Sequence, residues 1–268
     1  QQIYVNFQEL TDWMQSDLVA PDGQRLYSKT HFRASGLDSG TLTLTASGVY
    51  TLRLTSSSAP TYRFQLFDVP PPDVQAVTIG QNQSGALDSP GRPDHWIFSG
   101  ASGQRMYLDF LTLNTVVGGD LVVDVVAPSG ALISTRTSIL PNSLDQAFTL
   151  TETGQYKLVM HAAFDGSQLP ASSFQLWQVP ADDVNGLAFR QSVSGKVEVP
   201  GARDQWRIAA AAGQNVFLDV TALTGGDMRV QIVQPDGAVF ASRTFSLASG
   251  LDGEYVLPQT GTYTLIVD

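Results

Sequence analysis

Ser84-Gly85-Ala86-Leu87-Asp88-Ser89-Pro90-Gly91-Arg92-Pro93-Asp94-His95-Trp96 is the stretch on which the reading of this chain turns. It returns 110 residues later as Ser194-Gly195-Lys196-Val197-Glu198-Val199-Pro200-Gly201-Ala202-Arg203-Asp204-Gln205-Trp206. At the same offset Gly103-Gln104-Arg105-Met106-Tyr107-Leu108-Asp109 matches Gly213-Gln214-Asn215-Val216-Phe217-Leu218-Asp219, and Phe64-Gln65-Leu66-Phe67 returns as Phe174-Gln175-Leu176-Trp177. Two shorter signals occur three times. Ala20-Pro21-Asp22-Gly23 is followed by Ala127-Pro128-Ser129-Gly130 and Gln234-Pro235-Asp236-Gly237, and Gly48-Val49-Tyr50 by Gly154-Gln155-Tyr156 and Gly261-Thr262-Tyr263. The chain is therefore a repeat with a period of about 107–110 residues, and self-similarity at a fixed period sets the architecture before any local reading does.

Each period reads as β throughout. Asp120-Leu121-Val122-Val123-Asp124-Val125-Val126 and Gln155-Tyr156-Lys157-Leu158-Val159-Met160 carry the β-branched and alternating patterns of half-buried strands. The Pro-x-Gly steps supply turns, since Pro presets φ and Gly accepts φ > 0. In the middle copy the pattern predicts eight strands, at 83–88, 94–99, 104–111, 120–127, 131–137, 146–151, 155–161 and 172–179. Strands this short, separated by frequent turns, predict an all-β fold of tandem antiparallel two-sheet β-sandwich modules.

Val69-Pro70-Pro71-Pro72-Asp73-Val74 and Val179-Pro180-Ala181-Asp182-Asp183-Val184 recur at the module ends and read as short, stiff linkers. They divide the chain into residues 1–70, 71–180 and 181–268. Only 71–180 spans a whole period. Gln1 aligns with Gln104, so the first repeat is expected to lack its opening strands; Asp268 aligns with His161, so the third is expected to lack its closing one. Two readings follow: a segment of a long array in a giant protein, which is favoured, or strands shared between neighbouring chains by donor-strand addition. Joining Asp268 to a second Gln1 would skip roughly 50 positions of the repeat, so head-to-tail polymerisation does not restore its phase. A chain that opens on Gln reads as processed or excised.

Composition narrows the function. The 268 residues hold 43% hydrophobic side chains, enough for real cores, but only 15% charged ones against roughly 25% in an average domain. A net charge of −10 removes the electrostatic term that nucleic acid or an anionic membrane would need. No apolar run reaches the ~18 residues of a transmembrane helix. With no cysteine, disulfides, thiolate nucleophiles and Cys-based metal sites are excluded.

The order Ser-Gly-x-Leu/Val, Pro-Gly, Asp-x-Trp-x-Phe/Ile, Gly-Gln, Gly-Gly-Asp-Leu/Met, Pro-x-Gly, Thr-Gly-x-Tyr-x-Leu resembles the bacterial pre-peptidase C-terminal (PPC-like) β-sandwich, and covers each repeat. The resemblance implies a jelly-roll-like sandwich of about eight strands in a large secreted or surface protein. Such modules are accessory to exoenzymes or arrayed in surface proteins, and some relatives bind calcium or insoluble polymers. This chain departs from that picture in carrying no catalytic domain and no acidic cluster near its linkers beyond Asp182-Asp183.

The site candidates are few. His31, His95 and His161 are the only histidines, and none recurs between copies, so a triad or zinc site repeated in every module is excluded. H-E-x-x-H, G-x-S-x-G and P-loop motifs are missing. No catalytic residue is assigned and the chain is read as a non-enzyme. His95 is expected to face solvent beside a core Trp96. Trp206 belongs to the same core position as Trp96, and Phe67 and Trp177 share an environment. Aspartates recur at 94 and 204, 109 and 219, 120 and 227, and 38, 145 and 252, without an EF-hand-like loop, and read as turn-forming residues that accept backbone N–H bonds. Asp182 and Asp183 are the calcium candidates, calcium being the one cofactor left open. Trp13 lies by register opposite Met14, Ser16 and Leu18 and is the candidate for an exposed interaction residue. Asn82-Gln83-Ser84 fits a glycosylation sequon without a counterpart in the next copy.

The reading is a non-enzymatic structural or adhesive segment of a bacterial extracellular or cell-surface protein. It assembles into a filament or layer through edge-strand pairing or strand sharing, with neighbouring repeats or copies of itself as partners. The alternative is a polymer-binding accessory module of a secreted exoenzyme, with collagen, chitin or a polysaccharide as partner. Neither involves nucleic acid or membrane insertion.

Overall fold

The computed structural model describes residues 1–32, 39–114, 119–163, 169–246 and 252–268. Asp38 lies outside them. Strands make up the regular structure among the described residues, apart from one 3-10 turn at Pro141–Ser143. The chain divides into two compact units, Gln1–Gln178 and Val179–Asp268.

In the first unit the opening strands are β1 (Gln2–Leu10), β2 (Met14–Val19), β3 (Arg25–His31), β4 (Thr41–Thr43), β5 (Thr51–Thr55) and β6 (Tyr62–Val69). They form two three-stranded sheets, ordered β4-β1-β6 and β3-β2-β5. Next come β7 (Asp73–Ala76), β8 (Asn82–Ala86), β9 (Asp94–Gly100), β10 (Arg105–Asn114), β11 (Leu121–Val126), β12 (Leu132–Ser138), β13 (Gln146–Thr149), β14 (Gly154–Ala162) and β15 (Ala171–Val179). These make a four-stranded sheet, β13-β10-β15-β8, and a five-stranded one, β12-β11-β14-β9-β7.

Side-chain alternation joins the two larger sheets into a sandwich-like module, because residues two apart on a strand share a face. Trp96 and Phe98 of β9, Leu121, Val123 and Val125 of β11, and Tyr156, Leu158 and Met160 of β14 point inward from one sheet. Met106, Leu108 and Phe110 of β10, Phe148 of β13, and Phe174 and Leu176 of β15 meet them from the other. The Trp96 and Phe174 rings cross edge to face at 5.2 Å, and Phe174 and Leu176 are fully buried. Each such side chain contributes roughly 1.5–3 kcal/mol of burial free energy.

The second unit holds β16 (Asp183–Gly186), β17 (Asp204–Ala210), β18 (Asn215–Asp219), β19 (Met228–Val233), β20 (Val239–Phe245), β21 (Asp252–Val256) and β22 (Gly261–Val267). Its larger sheet, β16-β17-β22-β19-β20, repeats the strand order of the five-stranded sheet. Facing it among the described residues is only the pair β18-β21, and the buried cluster is correspondingly small: Ile232, Leu257 and Tyr263.

Three turns are built alike. Gly23, Gly130 and Gly237 take φ of +88°, +91° and +89°, and each donates its N–H to the carbonyl three residues back at 2.9 Å. A register shift follows in each hairpin, at Leu18/Val19, Val125/Val126 and Ile232/Val233. This is a type I turn closed by a left-handed glycine and a bulge. The Gly-x-Tyr signals sit directly opposite. The Tyr156 hydroxyl accepts from the Glu152 N–H at 2.8 Å and donates to the Glu152 carbonyl at 2.7 Å; Tyr50 does the same to Ala46 and Tyr263 to Gln259. Gly154 has φ +154°, and a Cβ there would lie 2.9 Å from Cγ of Pro128 in the facing turn. Gly48 meets Pro21 and Gly261 meets Pro235 in the same way.

All eight strands expected in the middle repeat are present, with ends displaced by a few residues. The ninth, β7, was not expected. The Pro-rich stretch read as a linker passes straight into a strand that pairs in parallel with β9, placing Asp73 beside Asp94. The second linker does the same through β16 and β17, placing Asp183 beside Asp204. Residues 1–70 and 71–178 lie in one unit. The Thr41 hydroxyl donates to the Gly91 carbonyl at 2.8 Å, and the Tyr4 ring covers Gly91 so closely that a Cβ there would come within 2.6 Å of Cδ2.

Candidate functional site

Parallel pairing at the start of each repeat gathers carboxylates that are far apart in sequence. In the middle repeat Asp73 opens β7, Asp94 opens β9, and Asp88 follows β8. Arg92 lies among them. Its guanidinium donates to both Asp88 oxygens at 3.0 and 2.7 Å, approaches Asp73 at 4.0 Å, and donates from Nε to the Pro71 carbonyl at 2.8 Å. Asp94 is only 6% exposed. Burial first, then the charges of Asp73 and Asp88, push its carboxyl up to about 6, with Arg92 opposing. A pit beside it, lined by Gly85, Trp96, Met160 and Ser172 among others, has room for about one water.

The corresponding residues of the last repeat are Asp183, Glu198 and Asp204, and one carboxylate oxygen from each lies within 4.8 Å of the other two. Where the middle repeat has Arg92, this one has the buried Ala202. Asp204 is 6% exposed. Its carboxylate accepts no hydrogen bond and meets no cationic side chain among the described residues. Burial, reinforced by Glu198 and Asp183, raises its carboxyl above the ordinary range. Gly195 supplies the space: a Cβ there would sit 2.5 Å from Asp204 Oδ2.

Of the two calcium candidates, Asp183 thus joins a three-carboxylate group, whereas Asp182 accepts from Gln205 Nε2 at 2.8 Å. The recurring aspartates at 94 and 204 are not turn formers. They begin strands, and Asp145 accepts the Phe110 N–H at 2.7 Å, a bond that ties it to β10 and not one within its own turn. The Asp252 side chain lies outside the described residues. Trp13 is half-buried just before β2, its carbonyl accepting from the Ser56 hydroxyl at 2.8 Å. Trp96 is core, as expected, while Trp206, Phe67 and Trp177 are half-buried. His95 is half-buried as well, and burial, then Lys157, lowers its pKa.

One Ser–His pair was missed in the sequence. Ser16 Oγ lies 2.6 Å from His31 Nε2, and both residues are buried between the sheets of the first repeat, with Phe7 packed 4.6 Å from the imidazole. A nucleophile needs access to substrate; these two have none, so the pair is a hydrogen bond within the core. Among the described residues, no nucleophile, base and acid converge on a cleft.

No family model matches this sequence, and no curated protein does. Solved structures with which it shares some likeness include the Aeromonas hydrophila PliG, a periplasmic inhibitor of g-type lysozyme, at 14% identity over 40% of this chain and 97% of that one, with a TM-score of 0.31. Others are the extracellular region of zebrafish Gpr126/Adgrg6, at 10% identity over 74% of this chain and 33% of that one (TM-score 0.25), and latent PorU from Porphyromonas gingivalis, at 10% over 81% and 24% (TM-score 0.21). Scores this low carry no argument about this chain's function. The β-sheet architecture stands on its own strands.

Proposed function

We propose that this chain is a non-catalytic structural or adhesive segment of an extracellular or cell-surface protein, which associates with copies of itself through open sheet edges. The supporting observation is a contrast between equivalent residues. Phe174 and Leu176 on β15 are fully buried, between sheet neighbours β10 and β8. Their counterparts on β6, Phe64 and Leu66, are 38% and 57% exposed, and β6 pairs with β1 alone among the described strands. Tyr62 extends this apolar row. An edge strand with free backbone groups and an apolar face favours added strands, and β6 has little charge to oppose it, Arg63 being paired to Glu9 at 2.7 Å.

Sedimentation velocity over a concentration series tests the reading. The expected result is a mass above that of a 28.8 kDa monomer at high concentration, lost when Phe64 and Leu66 are both replaced by Lys. A strictly monomeric chain that instead is retained on collagen, chitin or cellulose would transfer the reading to a polymer-binding accessory module.

A further inference from the structure

We infer that Asp183, Glu198 and Asp204 form a divalent-cation site that fastens β16 to β17, and that the middle repeat carries the same site with an arginine built in as its permanent cation.

Three observations converge. First, carboxylate oxygens bound to one Ca²⁺ at 2.3–2.6 Å can be no more than about 5 Å apart, and one oxygen from each of Asp183, Glu198 and Asp204 is already within 4.8 Å of the other two. Second, Asp204 is more than nine-tenths buried and directed at the other two, with no donor or cation of the chain to compensate it among the described residues. A buried ionised carboxylate without a partner costs several kcal/mol, and two further negative charges nearby add to that cost. Third, the chain solves this problem in the other copy. Asp73, Asp88 and Asp94 occupy the same repeat positions, and the Arg92 guanidinium reaches two of the three. Replacing that arginine by Ala202 removes the positive charge and the side-chain volume together, while all three carboxylates are kept.

A hard cation with oxygen ligands suits the space, with water completing a shell of 6–8. The three ligands come from different segments: the strand that follows Pro180, the stretch before Pro200, and the start of β17. Among the described strands β16 has β17 as its one sheet neighbour, and all four of its residues are exposed. A bound cation therefore crosslinks an otherwise lightly held edge strand to its sheet. Without one, mutual repulsion of the carboxylates loosens it.

The test uses the full 268-residue chain, stripped with chelator and titrated with CaCl₂, with MgCl₂ in parallel. Calorimetry is expected to show one Ca²⁺ per chain with a Kd in the range of about 0.1–1 mM, as in extracellular modules, together with slowed amide exchange over residues 183–186. Asp204→Asn and Glu198→Gln should each weaken binding at least tenfold. Ala202→Arg should abolish it while protecting residues 183–186 without Ca²⁺, and Arg92→Ala should add a second binding event through Asp73, Asp88 and Asp94. Should Ala202→Arg fail to fold, the two isosteric variants and Arg92→Ala still decide. No Ca²⁺-dependent heat or protection in the parent chain would overturn the inference, as would binding unchanged in Asp204→Asn and Glu198→Gln.

Discussion

Phe174→Ala is expected to destabilise the closed core of the middle repeat by about 3–5 kcal/mol, the usual cost of emptying a large buried aromatic site, whereas Phe64→Ala at the equivalent position costs below about 1 kcal/mol. The chemistry removed is identical and only the surroundings differ. Phe174 is fully buried, crossing Trp96 at 5.2 Å and lying 5.6 Å from Phe110. Phe64 touches Phe7 at 5.5 Å and is otherwise partly in solvent. Urea unfolding followed by tryptophan fluorescence reports the first loss directly through Trp96. Equal costs at the two positions would mean that β6 is covered as β15 is.

Tyrosine-to-phenylalanine exchange at the three repeated corners should give a graded result. Tyr156→Phe and Tyr263→Phe leave a backbone N–H and a carbonyl near the core without their partner, at about 1–3 kcal/mol each. Tyr50→Phe costs less, because Tyr50 is half-buried and water replaces its hydroxyl. The hydrogen-bond distances are nearly the same at all three, from 2.7 to 3.0 Å, so burial and not geometry sets the order. Thermal unfolding of the three variants measures it. Three equal shifts would contradict the difference in burial.

Much of this fold is legible in the sequence because its devices are local. Pro-x-Gly and Gly-x-Tyr mark two halves of one corner: the glycine lies where a Cβ would strike the proline opposite, and the tyrosine closes its own loop four residues back. Alternation on β9, β11 and β14 is equally direct: Trp96 and Phe98, Leu121, Val123 and Val125, and Tyr156, Leu158 and Met160 stand two apart and each proves to be core. Trp13 shows where that logic stops. Alternation assigns a face only inside a strand, and Trp13 precedes the first residue of β2. Trp206 shows a second limit. It shares its motif with Trp96, but a ring is buried by the strand across from it, and no counterpart of Phe174 lies opposite Trp206 among the described residues. The acidic site was legible only in part. Asp183 stands out beside its linker, yet Asp204 joins it through a parallel pairing in which all four β16 residues are exposed, with no hydrophobic period to announce a strand, and Glu198 comes from the irregular stretch before β17. The informative signal was the exchange of Arg92 for Ala202 while Asp73, Asp88 and Asp94 are matched by Asp183, Glu198 and Asp204. It becomes meaningful once the three carboxylates are seen to converge.

Low charge and a surplus of small polar residues suit the proposed association through sheet edges, and the middle repeat supplies the closed reference for it. Amide hydrogen exchange resolved along the full chain at low concentration tests this most directly. The β15 amides around Phe174–Leu176, and those β8 amides that bond to β15, are expected to exchange slowly. The β6 amides facing away from β1, and those of residues 192–196, are expected to exchange orders of magnitude faster than these. Protection of β6 equal to that of β15 in the dilute chain would contradict it.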